Sequence, residues 1–204
     1  MVQQPTLIVF LFSLSVHEFA HALTATLCGD DTPRRQGRVT LNPLVHIDPL
    51  GFFCILVFGF GWAKPVEFNP GSFRFSKTFS LLTAAAGPLS NFILAVVCMF
   101  VLSLLPGWAM PAAIHKTFTQ ILQAGAAVNV ILGVFNFLPI PPLDGGHLLM
   151  VVFDEQAPDV SSWMRQNSFL MMIVLLLFMS LMGGSLLSSV YNKVYSFLAH
   201  LVFT

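Results

Sequence analysis

Long apolar runs almost free of charge restrict this chain to the membrane-protein class before any motif is considered. A helix needs about 20 mostly apolar residues to cross the hydrocarbon layer, and Thr6–Cys28, Phe79–Leu105 and Ser168–Leu187 each supply such a run. Thr119–Val152 is equally apolar but is interrupted by Pro139, Pro141, Pro142, Gly145 and Gly146. Only 9% of the 204 residues are charged and 56% are hydrophobic, against about 25% charged in an ordinary soluble domain. Surface of that kind is solvated only by lipid. The formal net charge of zero gives no basis for a nucleic-acid partner. The three cysteines, Cys28, Cys54 and Cys98, have neither paired nor metal-ligand spacing and read as buried free thiols. Met1–Pro5 carries no basic residue and the run after it contains ionisable groups, so it reads as a retained helix rather than a signal peptide. Without a repeat or a polar domain-sized stretch, residues 1–204 are expected to form one domain.

The connections refine the expectation. Pro49–Trp62 is apolar but short, rich in Phe and interrupted by Gly51, Gly59 and Gly61, a profile that suits a re-entrant element better than a crossing and gives it the hinges of a lid. Polar stretches flank it, and Arg38–Leu41 and Pro65–Phe68 are expected to be two short strands. The fold expected is an all-α polytopic membrane protein, with four to six hydrophobic segments and a small β element after the first helix. If Pro49–Trp62 does not cross, seven of the nine basic residues (Arg34, Arg35, Arg38, Lys64, Arg74, Lys77 and Arg165) share one side, leaving Lys116 and Lys193 opposite. The positive-inside rule then places Gly29–Lys77 in the cytoplasm. The tail from Ser188 either continues the last span or lies at the interface.

The first apolar run contains His17-Glu18-Phe19-Ala20-His21. Residues four apart share a helix face, so both imidazoles can meet one metal ion, with Glu18 beside them to accept a proton from water. Ionisable side chains near mid-bilayer cost about 2.5–3.5 kcal/mol each on the insertion scale, and three within five residues have no structural explanation. A catalytic zinc takes three protein ligands and keeps one position open. The remaining acid placed to serve is Asp144, which follows Asn136-Phe-Leu-Pro-Ile-Pro-Pro-Leu. Such a break at membrane depth is tolerated only where the backbone is enclosed by protein or lines a wet cavity. The competing role for Asp144 is a helix cap.

Together with Gly87-Pro88-Leu89-Ser90-Asn91, these motifs resemble the site-2 protease family of intramembrane zinc metalloproteases, in order and over most of the chain. The stretches Gly37–Pro43, His46–Gly51 and Gly61–Val66 resemble its compact branch, which lacks a PDZ or other appended domain. The resemblance implies that His17, His21 and Asp144 bind one zinc ion and that Glu18 is the general base. Asn91 and Asn136 would contact substrate backbone or stabilise an oxyanion. It implies a membrane-protein substrate cut in or near a transmembrane segment, a lipid environment, an active site towards the cytoplasm and a prokaryotic cell membrane. His147 departs from the pattern, standing where many relatives carry Arg. From the residues alone, the alternative role for the two Asn side chains is interhelical hydrogen bonding, and His46 is either near the metal, a gate or an interfacial residue. Two other readings stay open: a metal transporter, in which Glu18 is dispensable, and a non-catalytic binder of transmembrane segments.

Overall fold

The computed structural model describes residues 4–58, 61–73, 75–105, 110–181 and 185–203. Arg74 of the basic set, and Gly59 and Phe60 of the expected re-entrant element, lie outside them. The frame consists of α1 (Gln4–Leu27), α5 (Ser76–Ser103) and α6 (Ala112–Asn136), each long and apolar enough to cross a membrane. Between α1 and α5 come the short helices α2 (Thr32–Arg35), α3 (Pro43–His46) and α4 (Pro49–Phe58) and a 3-10 turn at Pro70–Ser72. After α6 come α7 (Asp144–Gln156), α8 (Pro158–Gln166), α9 (Ser168–Leu181) and α10 (Ser185–Phe203).

Small and polar residues on one face draw the frame together. On α5 the buried positions Ser80, Thr83, Ala84, Gly87, Pro88, Asn91, Ala95 and Met99 recur every three or four residues, which is the period of a single helical stripe. On α1, Ser13, His17, His21 and Ala25 repeat at four. Small side chains let apolar helices approach closely where the hydrophobic effect gives no drive for them to associate. The opposite face of α5 exposes Ile93, Val97 and Phe100, as a lipid-facing surface should. Helix α10 does not extend the preceding span. Its Tyr191, Val194, Tyr195 and Leu198 pack on a core of Ala95, Met99, Ala126, Val130 and Val134 from α5 and α6.

The expected β element is not formed among the described residues. Arg38–Leu41 and Pro65–Phe68 are irregular, and the sole trace of pairing is an isolated antiparallel bridge between Ile47 and Ala63. The expected strand at Arg38–Leu41 does not form, and Arg38 instead turns inward to bond three carbonyl groups, as described below. The span count is corrected too. Among the described residues three helices are long and apolar enough to cross, or four if α8 and α9, bent by 72°, are taken as one span. Helix α4 has ten residues, about 15 Å at 1.5 Å per residue, half the depth of a bilayer. Two of its glycines allow close backbone contact: a Cβ on Gly51 would lie 2.2 Å from the Trp62 carbonyl oxygen, and one on Gly61 would lie 2.0 Å from that of Gly51.

Candidate metal centre

His17 and His21 project from the same stripe of α1, with their Nε2 atoms 3.1 Å apart. Asp144, the first residue of α7, sets Oδ2 3.1 Å from His17 Nε2 and Oδ1 3.3 Å from His21 Nε2. The outer ring nitrogens are committed elsewhere, His17 Nδ1 to Asn91 Oδ1 and His21 Nδ1 to the Thr83 carbonyl, each at 2.7 Å. A carbonyl oxygen only accepts, so His21 Nδ1 carries the proton and its neutral ring turns a lone pair inward at Nε2. Asp144 Oδ2 is buried and receives no hydrogen bond.

Lone pairs of two neutral rings and a carboxylate facing one another repel unless a proton or a metal cation lies among them, and these residues form a group able to hold a metal ion. Bonds of about 2.0–2.2 Å in tetrahedral arrangement put neighbouring ligand atoms about 3.3 Å apart, close to the separations found. Space is reserved as well. A Cβ on Gly87 would fall 2.2 Å from His21 Nε2 and 2.6 Å from His17 Nε2, so any other residue there would intrude on the cluster. Two neutral imidazoles and one carboxylate suit zinc, and imidazole hydrogen bonds to outer partners are the usual device for orienting such ligands.

Asp144 reaches the cluster because the chain doubles back tightly before α7. A Cβ on Gly145 would meet the carbonyl oxygens of Phe137 and Leu138 at 2.4 Å, and one on Gly146 would meet Pro141 N at 2.2 Å. The glycines after Asp144 therefore allow the start of α7 to lie directly on the broken segment Phe137–Pro141.

Glu18 is buried beside the pair, and its Oε2 accepts a hydrogen bond from the Val66 amide at 3.2 Å. That amide is held by the connection between α1 and α5. The Arg38 guanidinium is 4% exposed and donates to the carbonyls of Val45, Lys64 and Pro65. Lys64 N donates to the His46 carbonyl at 2.8 Å. Asp30 anchors the far end of the same stretch, accepting from the Thr32 hydroxyl and amide and from the Asn69 amide. Burial raises the Asp30 carboxyl, but these hydrogen bonds and Arg35 outweigh it and leave it below the usual carboxylate range.

The structure thus gathers His17, His21 and Asp144, with Glu18 adjacent in sequence and Asn91 against His17. Asn91 is fully buried, and its amide group is spent on Asn129 Oδ1 at 2.8 Å and the Ser13 carbonyl at 3.4 Å. Asn136 instead donates to the Leu132 carbonyl in its own helix at 3.0 Å. His46 lies in the loop architecture with Nε2 2.8 Å from the Thr40 carbonyl oxygen. His147 packs edge-on to Phe68. Sequence reasoning missed Ser13, Thr83, Asn129 and Arg38. Ser13 carried a signal, since it lies four residues before His17 on the same face. Arg38 carried none, because one basic residue among several in a polar stretch reads as solvated.

Comparison with known proteins agrees with this chemistry. Residues 107–181 match the peptidase family M50. YwhC of Bacillus subtilis, named as a candidate zinc metalloprotease, is 39% identical over 188 residues, covering 91% of this chain and 84% of its own length. Rip2 of Mycolicibacterium smegmatis, named likewise, is 31% identical over 82% of this chain, which spans 64% of that relative. For Rip2 of Mycobacterium tuberculosis H37Rv the identity is 30%, with coverage of 85% and 67%. No solved structure is significantly similar. The extent of the likeness to YwhC settles the family: the chain belongs to peptidase family M50, the site-2 protease family, and is an integral membrane zinc metalloprotease.

Proposed function

We propose that this protease hydrolyses peptide bonds in or next to transmembrane segments of membrane-protein substrates, and that residues 1–204 work as a single domain. The observation that carries the reading is the depth of the cluster of His17, His21 and Asp144. His21 lies six residues before the end of α1 at Leu27, about 9 Å inside a helix long enough to span the membrane. His17, His21 and Asp144 would hold the metal, and the Asn91 and Thr83 oxygens keep the two rings turned towards it. Zinc bound there supplies an acidified water and a Lewis acid for the scissile carbonyl. Glu18 takes the proton at its carboxylate and returns it to the departing amine, while the Val66 amide holds the carboxylate in place.

A substrate must unwind locally before it is cut, because helical carbonyls are occupied by their own hydrogen bonds. Asn136, in the last turn of α6, would contact that unwound backbone on giving up its bond to Leu132. Asn91 acts on His17 rather than on the substrate. The basic residues between α1 and α5 support a cytoplasmic location for that connection, and bacterial relatives support a prokaryotic cell membrane. The metal-transporter reading draws no support: the described residues hold one three-ligand cluster, not a series along a path.

The test compares the parent with Glu18→Gln for zinc content and for cleavage of a single-span reporter reconstituted in liposomes. Glu18→Gln should retain zinc and cut nothing. Cleavage near the parental rate would remove Glu18 from the mechanism.

A further inference from the structure

Behind His17 a chain of polar side chains crosses all three frame helices. Asn129 of α6 is buried at 1% exposure, and its Nδ2 lies 2.8 Å from both the Gly125 carbonyl oxygen and Ser13 Oγ. The carbonyl oxygen only accepts, so the nitrogen end of Asn129 must face it. Asn129 Oδ1 is thereby turned to Asn91, which donates through Nδ2 at 2.8 Å. The same nitrogen of Asn91 faces a second acceptor-only group, the Ser13 carbonyl, at 3.4 Å. Asn91 Oδ1 therefore points to His17 Nδ1, 2.7 Å away. An oxygen there obliges Nδ1 to carry a proton, so the neutral ring presents its lone pair at Nε2.

We infer that Asn129 is a positioning residue for the metal centre: acting through Asn91, it fixes the tautomer and the plane of the His17 ring, and so sets zinc affinity. The inference rests on the proposed assignment of His17 as a ligand. Its physical basis is that both amides are locked by backbone carbonyls and neither reaches water. A reversed amide would oppose oxygen to oxygen and nitrogen to nitrogen in a buried site, where unpaired polar groups are strongly disfavoured. His21 needs no such chain, because a backbone carbonyl meets its Nδ1 directly.

The experiment measures zinc affinity of the full chain in detergent by competition with a chelator, for the parent, Asn129→Leu, Asn129→Asp and His17→Ala, with helicity checked by circular dichroism. Asn129→Leu keeps the volume but removes the acceptor for Asn91, and should bind zinc about 10- to 100-fold more weakly, the usual penalty for losing an outer-shell partner. Asn129→Asp keeps an oxygen facing Asn91 and, as the neutral acid that burial favours, a hydroxyl donor for the Gly125 carbonyl, and should bind close to the parent. A residue that only packs helices together would give the reverse order, since a buried carboxyl group disturbs packing more than Leu does. If Asn129→Leu fails to fold, Asn129→Ala is read in its place with the same expected loss. Parental affinity in the apolar variant, or equal losses in the Asp and Leu variants, would overturn the inference. Zinc retained by His17→Ala would instead show that the ligand assignment is at fault.

Discussion

In the frame of α1, α5 and α6, the atoms around His17 and His21 are positioned by side chains and helix carbonyls that packing holds in place. Between Gly29 and Phe73 the positions are set the other way round, with charged side chains gathering a backbone that has little regular structure. Arg38 collects three carbonyls and Asp30 collects amides from Thr32 and Asn69. The two regions meet where the Val66 amide touches Glu18. The contrast separates two tasks: the frame orients the two imidazoles of the proposed ligand set, and the connection holds Glu18, the proposed base. Damage to each should therefore have a different signature.

The largest effect is expected in the frame. Gly87→Ala would place a methyl group among the ligand atoms, and neither ring can swing aside without surrendering its bond to Asn91 or Thr83. Zinc binding should weaken at least about 100-fold and cleavage should vanish with it, beyond the penalty for losing an outer-shell partner. Elemental analysis after dialysis against a chelator checks this, and full occupancy would show that the frame yields more readily than described.

Damage to the connection should spare the metal. Arg38→Gln leaves buried carbonyls short of donors and frees the segment that carries Val66. Cleavage should fall about 10- to 100-fold, or about 1.4–2.7 kcal/mol in barrier, with zinc content unchanged. Loss of zinc in this variant would erase the division between the two regions.

A smaller effect is expected at Asp30, in stability rather than activity. Its folded-state carboxyl lies below the unfolded value of about 3.9, so its contribution is present above that pH and is lost as pH falls through the folded value. Asp30→Asn should destabilise by about 1.5–3 kcal/mol at neutral pH, the range for hydrogen bonds to a charged group. Thermal unfolding in detergent at pH 7 and pH 3 should show the gap between parent and variant narrowing at the lower pH. A gap independent of pH would mean that Asp30 contributes by shape alone.

The same contrast explains what the sequence made legible. In α1 the four-residue period of His17 and His21, and the Pro and Gly residues around Asp144, are local patterns with direct geometric meaning. They pointed to the three residues that the structure brings together and to the break before α7. In the connection, Arg38-Val39-Thr40-Leu41 has the alternation of a strand, yet its role comes from carbonyls at Val45, Lys64 and Pro65 that no local pattern reveals. A single bridge between Ile47 and Ala63 is all that tertiary folding made of the expected pairing. Asn129 was hidden for another reason. One polar residue in an apolar span reads as a generic interhelical contact until its partner across the bundle is known.

The central claim is that zinc sits among two imidazoles and one carboxylate in α1 and α7. The most direct measurement is the zinc K-edge X-ray absorption spectrum of the purified, metal-loaded protein, compared with that of Asp144→Ala. The account predicts light-atom ligands only, at about 2.0–2.2 Å, with imidazole multiple-scattering features for two rings, and loss of zinc from the variant. A sulfur shell near 2.3 Å, or an unchanged zinc site in Asp144→Ala, would contradict it.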